Sequence, residues 1–145
     1  MRIHVPEQIE ENLISMVFIG HGNYPLGIKS SLEMISGDTR NTFYLCFEEG
    51  DDPDLFGDQI RATIEQAPCG CIVLVDLMGG TPFNQLYINM PDSNCQAITG
   101  ANLAMALEVA YSREYSTLEE LAQNAVEAGN FGIVDVNKKR NEKKN

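Results

Sequence analysis

His21 stands between two glycines at the end of an apolar run, Ile14-Ser-Met-Val-Phe-Ile-Gly-His-Gly-Asn-Tyr-Pro25. A neutral imidazole is a nucleophile through the ring nitrogen that carries no proton. A carboxylate that accepts the N–H of the other nitrogen fixes that tautomer and steadies positive charge as a bond forms. Such a carboxylate is available in Asp76, in the second glycine-rich turn, Val75-Asp-Leu-Met-Gly-Gly-Thr-Pro-Phe-Asn84. There Gly79, Gly80 and Thr81 lead into a helix N-terminus, offering backbone N–H groups, a hydroxyl and a favourable dipole to an anion. A helix beginning near Tyr24-Pro25 brings a second positive end close to His21. Together these residues describe a site for a phosphoryl group carried on histidine. Taken singly, Gly-His-Gly is a turn and Asp before glycines an Asx-turn or cap. Their coincidence carries the functional reading. His4, the only other histidine, lies in a polar N-terminal arm with no partner pattern.

Strands and helices must alternate to place the two turns side by side. Leu13–Gly20, Thr42–Phe47, Cys71–Val75, Asn94–Thr99 and Phe131–Val136 read as strands. The first and third are apolar on consecutive residues, as strands covered on both faces are. Between them lie amphipathic helices. Ile28, Leu32 and Ile35 share a face before Gly37, and Phe56, Ile60, Ile64 and Ala67 form a stripe closed by Pro68. Thr81-Pro82 reads as a cap and first-turn proline, with Phe83, Leu86, Tyr87 and Met90 following at helical spacing. Leu103, Ala106, Leu107, Ala110 and Tyr111 make a fourth helix. Ser116 and Glu119 form a capping-box opening to a fifth, with Gly129 beyond its end.

This alternation predicts a doubly wound α/β fold, a mostly parallel five-strand sheet with helices on both faces. In the common order 2-1-3-4-5, strands one and three are neighbours whose connections diverge. The crevice outside their carboxyl ends is where such folds bind ligands. His21 and Asp76 end those two strands, so they are expected to face one another there.

Bulk composition narrows the classes. At 145 residues the chain is expected to form one domain with a real core. Its apolar runs are far shorter than the roughly 20 residues of a membrane span, and its polar, acidic start is unlike a secretory signal, so a cytoplasmic protein is expected. The net charge of −11 conceals a basic tail, 137–145, behind a body of −15. An acidic body argues against nucleic acid as a partner, and the tail reads as a solvated, frayed terminus. Cys46, Cys69, Cys71 and Cys95 lack metal-ligand spacing and read as reduced thiols. No Walker loop is present, and Gly20-His-Gly22 fits the dinucleotide fingerprint poorly. The acidic pair and lysine of a receiver domain, and the Ser/Thr-rich first loop of a flavodoxin, are also missing.

Three stretches, in register over about residues 13–136, resemble the IIA components of the mannose-type bacterial phosphoenolpyruvate-dependent sugar phosphotransferase system. Phe18-Ile-Gly-His-Gly-Asn-Tyr-Pro-Leu-Gly-Ile-Lys-Ser-Ser-Leu-Glu-Met-Ile-Ser-Gly37 is similar to the family's active-site strand, turn and first helix. Leu74-Val-Asp-Leu-Met-Gly-Gly-Thr-Pro-Phe-Asn84 resembles its second turn and is the most specific of the three. Ile98-Thr-Gly-Ala-Asn-Leu-Ala-Met-Ala-Leu107 looks like its fourth strand and following helix. The resemblance implies a cytoplasmic phosphocarrier in which His21 is phosphorylated, Asp76 is its hydrogen-bonding partner and Thr81 contacts the phosphoryl group; with the reading of the glycine turn, Gly79, Gly80 and Thr81 are expected to receive the phosphate. It implies HPr as donor, the IIB component as acceptor, and contact with the membrane only through IIC and IID subunits. It also implies a homodimer exchanging the C-terminal strand, Phe131–Val136, and neither metal nor organic cofactor. Residues 1–12 extend ahead of the family's usual start, and Ala104 stands where many members have proline. The alternative is a phosphorylation-dependent regulatory module of the same fold. The related dihydroxyacetone-kinase phosphotransfer subunit is of this kind but usually lacks Gly-Gly-Thr-Pro-Phe-Asn. A small-anion binding domain is a third, non-carrier possibility.

Overall fold

Met16 and Phe18 face one side of the central strand and Val17 and Ile19 the other, and all four are buried. The apolar run therefore carries two cores, because successive side chains of a strand point to opposite faces. In the computed structural model, which describes residues 1–144, the sheet has five strands. They are β1 (Arg2–His4), β2 (Ser15–His21), β3 (Thr42–Phe47), β4 (Cys71–Val75) and β5 (Cys95–Thr99). Their order is β1-β3-β2-β4-β5, with β1 antiparallel to β3 and every other pair parallel.

The helices are α1 (Tyr24–Ser36), α2 (Pro53–Glu65), α3 (Gly80–Asn89), α4 (Leu103–Ser112), α5 (Leu118–Phe131) and α6 (Val136–Lys143). Leu32 of α1, Met105, Ala106 and Val109 of α4 and Leu121 and Ala125 of α5 pack against Met16, Phe18, Ile72 and Leu74. Phe56, Ile60 and Ile64 of α2 and Leu86 of α3 cover Val17, Ile19, Val73 and Val75 on the opposite face. A right-handed crossover puts its helix on one face when the chain moves one way along the sheet and on the other when it returns. The chain moves from β2 to β3 through α1, then back past β2 to β4 through α2. The expected switch point therefore falls between β2 and β4, whose last paired residues are Ile19 and Val75.

Four strands take the expected places, but the fifth does not. In this chain Phe131 ends α5 and Val136 begins α6, so Phe131–Val136 is not a strand. The fifth strand is Arg2–His4, at the opposite edge, where Ile3 packs against the core beneath α2. Helix α5 runs through Gly129 instead of stopping before it. The Gly129 carbonyl accepts a hydrogen bond from Asn102 Nδ2 at 3.0 Å, and the missing side chain admits Met105. A strand also needs a ladder partner, and none lies beside residues 131–136 in the sheet.

Smaller differences are local. The capping box is Thr117 with Glu120, one residue later than Ser116 with Glu119, because only the Thr117 pair closes both reciprocal bonds. Gly79 precedes α3, and Thr81 lies in the first turn without capping it. The basic tail is helical over Val136–Lys143, with Asp135 accepting from the Lys138 N–H, and Asn145 lies outside the described residues. Cys46, Cys71 and Cys95 are buried free thiols and Cys69 an exposed one. Among the described residues no helix is long and apolar enough to cross a membrane.

Candidate functional site

Gly20 and His21, the last residues of β2, extend past the end of β4, beside the residue that follows it. That residue is Asp76, and its backbone N–H donates to the Ile19 carbonyl at 3.1 Å, which aims its side chain across the crevice. One carboxylate oxygen, Oδ2, lies 2.8 Å from His21 Nδ1 and accepts the His21 backbone N–H at 2.9 Å. The Asp76 side chain is 10% exposed, whereas the imidazole is 46% exposed. The base of the pair is therefore sheltered and its working end faces outward.

An ionised carboxylate only accepts hydrogen bonds, so Nδ1 is the protonated nitrogen of the neutral ring and Nε2 keeps its lone pair. Nε2 points toward Gly80: a Cβ on that residue would stand 3.2 Å from Nε2 and 3.1 Å from Cε1. Gly79 and Gly80 have φ of 81° and 78°, in the left-handed region that glycine enters at no steric cost. The turn thus delivers the positive end of α3 to the imidazole, with Thr81 in its first turn. The structure brings together His21, Asp76 and Gly80, and places Gly79 and Thr81 on either side of Gly80. No bond from Thr81 to the other four is present.

Gly20 belongs to this arrangement too. A Cβ there would sit 3.0 Å from Asp76 Cγ and Oδ2, closer than ordinary carbon contacts of about 3.5–4.0 Å. The glycine before the histidine is therefore the space into which the carboxylate fits. The sequence placed it at the end of the Leu13–Gly20 strand and in the glycine turn, with no role toward Asp76. Its position at the last buried place of the strand was the available signal. Tyr24 was also missed. Its hydroxyl donates to the Ala101 carbonyl, fastening the His21 turn to the loop after β5. Burial, and next the charge of Asp76, push its phenol upward from the usual value, so the hydroxyl remains a donor.

The surroundings are open. Leu77 and Met78 project into solvent from the Asp76 turn, and Tyr24 is partly exposed beside His21. A concavity of about 530 Å³ lies elsewhere, between β1 and α1, lined by His4, Lys29, Glu33 and Tyr44 among others. His4 makes no hydrogen bond to the site. An exposed histidine on an open surface is suited to a reacting group presented by another macromolecule, more than to a small ligand enclosed in a cleft.

Residues 15–126 match the family model described as the fructose IIA component of the PTS, EIIA-man. The chain is 30% identical over 115 residues to the fructose-specific EIIA component of Bacillus subtilis, covering 77% of this chain and 79% of that protein. It is 28% identical over 124 residues to the mannose-specific EIIAB component of Escherichia coli, of which it spans only 38%. Among solved structures, EIIA from Streptococcus agalactiae superposes with a TM-score of 0.78 at 30% identity, over 87% of this chain and 99% of that one. The mannose/sorbose-specific IIA subunit from Enterococcus faecalis gives 0.76 at 26% identity, over 84% and 93%. Sequence, sheet order and the paired glycine-rich turns agree, and the chain belongs to the mannose-type EIIA family of sugar phosphotransferase system components.

Proposed function

We propose that this protein carries a phosphoryl group on Nε2 of His21, received from the phosphohistidine of HPr and passed to a IIB component. The observation that carries the reading is the double acceptance by Asp76 Oδ2, which holds His21 by ring and backbone together and leaves Nε2 beside the α3 N-terminus. In the forward step the Nε2 lone pair forms a bond to phosphorus as the donor's P–N bond breaks, and the donor imidazole keeps that electron pair. The His21 ring becomes cationic, with Nδ1–H still bonded to the Asp76 carboxylate. The backbone N–H groups at Gly79, Gly80 and Thr81, with the Thr81 hydroxyl, would receive the phosphoryl oxygens. In the second step the acceptor attacks phosphorus and the electron pair returns to Nε2. Phosphohistidine is already a good leaving group, so positioning and N–H donors suffice as the chain's contribution.

The exposed apolar rim of Tyr24, Leu77 and Met78 supports docking of HPr and IIB over His21. This subunit would act on the cytoplasmic side, reaching the membrane only through IIC and IID, and would not touch the sugar. A homodimer is supported by the C-terminal segment, whose Phe131, Ile133, Val134 and Val136 are exposed in the single chain. Incubation with phosphoenolpyruvate, enzyme I and HPr should place one acid-labile phosphate on the protein. His21→Ala should take up none, and normal labelling of that variant would refute the assignment.

A further inference from the structure

We propose that Arg2 is a positioning residue for His21, acting through Asn23. Strand register places Arg2 opposite Cys46, and Cys46 is itself opposite Gly20. The edge strand β1 thus ends its reach at the level of the reactive turn, two strands away from it. From there the Arg2 guanidinium divides its donors. Nε binds Glu48 Oε1 at 2.7 Å, and Nη2 donates to Asn23 Oδ1.

Asn23 occupies the N-cap position of α1, yet its side chain makes no capping bond. An asparagine there normally accepts from the second or third N–H of its own helix. Here the second helical residue is Pro25, which has no N–H, and Asn23 at φ −88° and ψ 5° is not in the extended capping conformation, so its side-chain oxygen is left free to accept from Arg2. The turn needs such ties, because Gly22 at φ 55° lies in the left-handed region and gives the backbone freedom beside His21. Gly22 N–H is fixed to the Phe47 carbonyl at 2.8 Å, and Tyr24 is fixed to Ala101. Arg2 supplies the third tie, from the outer edge of the sheet. Its side chain is 42% exposed, so the contact adds little to global stability. What it fixes is the orientation of the two residues that follow the imidazole, where small misplacements act strongly on rate. The same guanidinium brings positive charge to a turn on a strongly acidic body.

The kinetic part of this inference rests on the phosphocarrier reading, and its structural part does not. Arg2→Ala, Asn23→Ala and the double variant test both in the full chain. Each single change should lower phosphotransfer from HPr about fivefold, in kcat more than KM, and the double variant should be no worse than either single, since both remove one contact. Arg2→Lys, which cannot hold Asn23 and Glu48 together as a planar fork does, should recover only part of the rate. In the amide spectrum, Gly22 and Asn23 and the His21 ring signals should shift alike in Arg2→Ala and Asn23→Ala, with core amides unmoved. Single-variant rates within twofold of wild type, effects that multiply, or a loss confined to KM would overturn the role in transfer. Unchanged turn signals would overturn the positioning itself. A wild-type protein that takes no phosphate would instead overturn the carrier reading, and the spectra would still decide whether Arg2 orders the turn.

Discussion

Gly20→Ala isolates the fit between the glycine and Asp76 without touching either polar residue. Gly20 does not lie in the left-handed region, so alanine meets no backbone strain there. The whole effect comes from one methyl group placed 3.0 Å from Asp76 Cγ and Oδ2 and 3.1 Å from its Cβ. Relief requires the carboxylate to retreat by about half an ångström, since carbon contacts relax near 3.5 Å and beyond. Both hydrogen bonds from His21, at 2.8 and 2.9 Å, then lengthen or bend. A hydrogen bond to a charged group contributes about 1.5–3 kcal/mol, and the half-exposed imidazole favours the lower end. Losing the equivalent of one such bond where positive charge develops on the ring should slow transfer about tenfold, at roughly 1.4 kcal/mol per decade. Overpacking should lower stability by about 1–2 kcal/mol, leaving the protein folded. Steady-state transfer from HPr, measured beside thermal unfolding, separates the two effects. Gly27→Ala, where an added Cβ meets nothing within 4 Å, is the control and should transfer normally. A Gly20→Ala protein that is folded and transfers at the wild-type rate would show that the Asp76 position does not matter to the chemistry.

Asp76→Asn should also slow transfer, by about ten- to a hundredfold. A neutral amide cannot steady the cationic ring, and its second polar atom would occupy the place of Oδ1, which is buried without a protein partner. Unchanged rates would remove Asp76 from the mechanism. Asp38 predicts an acid limb of stability. Burial alone would raise its carboxyl, but hydrogen bonds from Arg40 and the nearby Arg113 outweigh burial and hold it at about 2. A group depressed in the folded state stabilises fully above its unfolded value of about 4 and loses that contribution as pH falls toward 2. The melting temperature of the wild type should therefore drop more steeply than that of Asp38→Asn between those values, and parallel curves would refute the account. Sedimentation should give a dimer, and Phe131→Asp with Ile133→Asp should weaken it. A monomeric wild type at micromolar concentration would dismiss the exchanged-segment reading.

Periodicity in the chain was enough to determine four strands and the helices between them, and the order common to such sheets supplied their arrangement. A buried parallel strand must be apolar on both faces, and Met16–Ile19 and Ile72–Val75 are. From that order alone His21 and Asp76 followed as neighbours, because residues ending adjacent parallel strands must meet outside the sheet. The three-residue strand at Arg2–His4 was not legible, since so short an edge alternates too few residues to show a period and is stabilised chiefly by pairing with Tyr44–Cys46. Phe131–Val136 misled for the complementary reason: its β-branched residues suit a strand, but a strand forms only against a ladder partner. Only the tertiary structure decided which Asp76 oxygen holds His21, why residue 20 has no side chain, and that Arg2 reaches Asn23. Each of these depends on distances between atoms far apart in the chain, which no local pattern of residue types encodes.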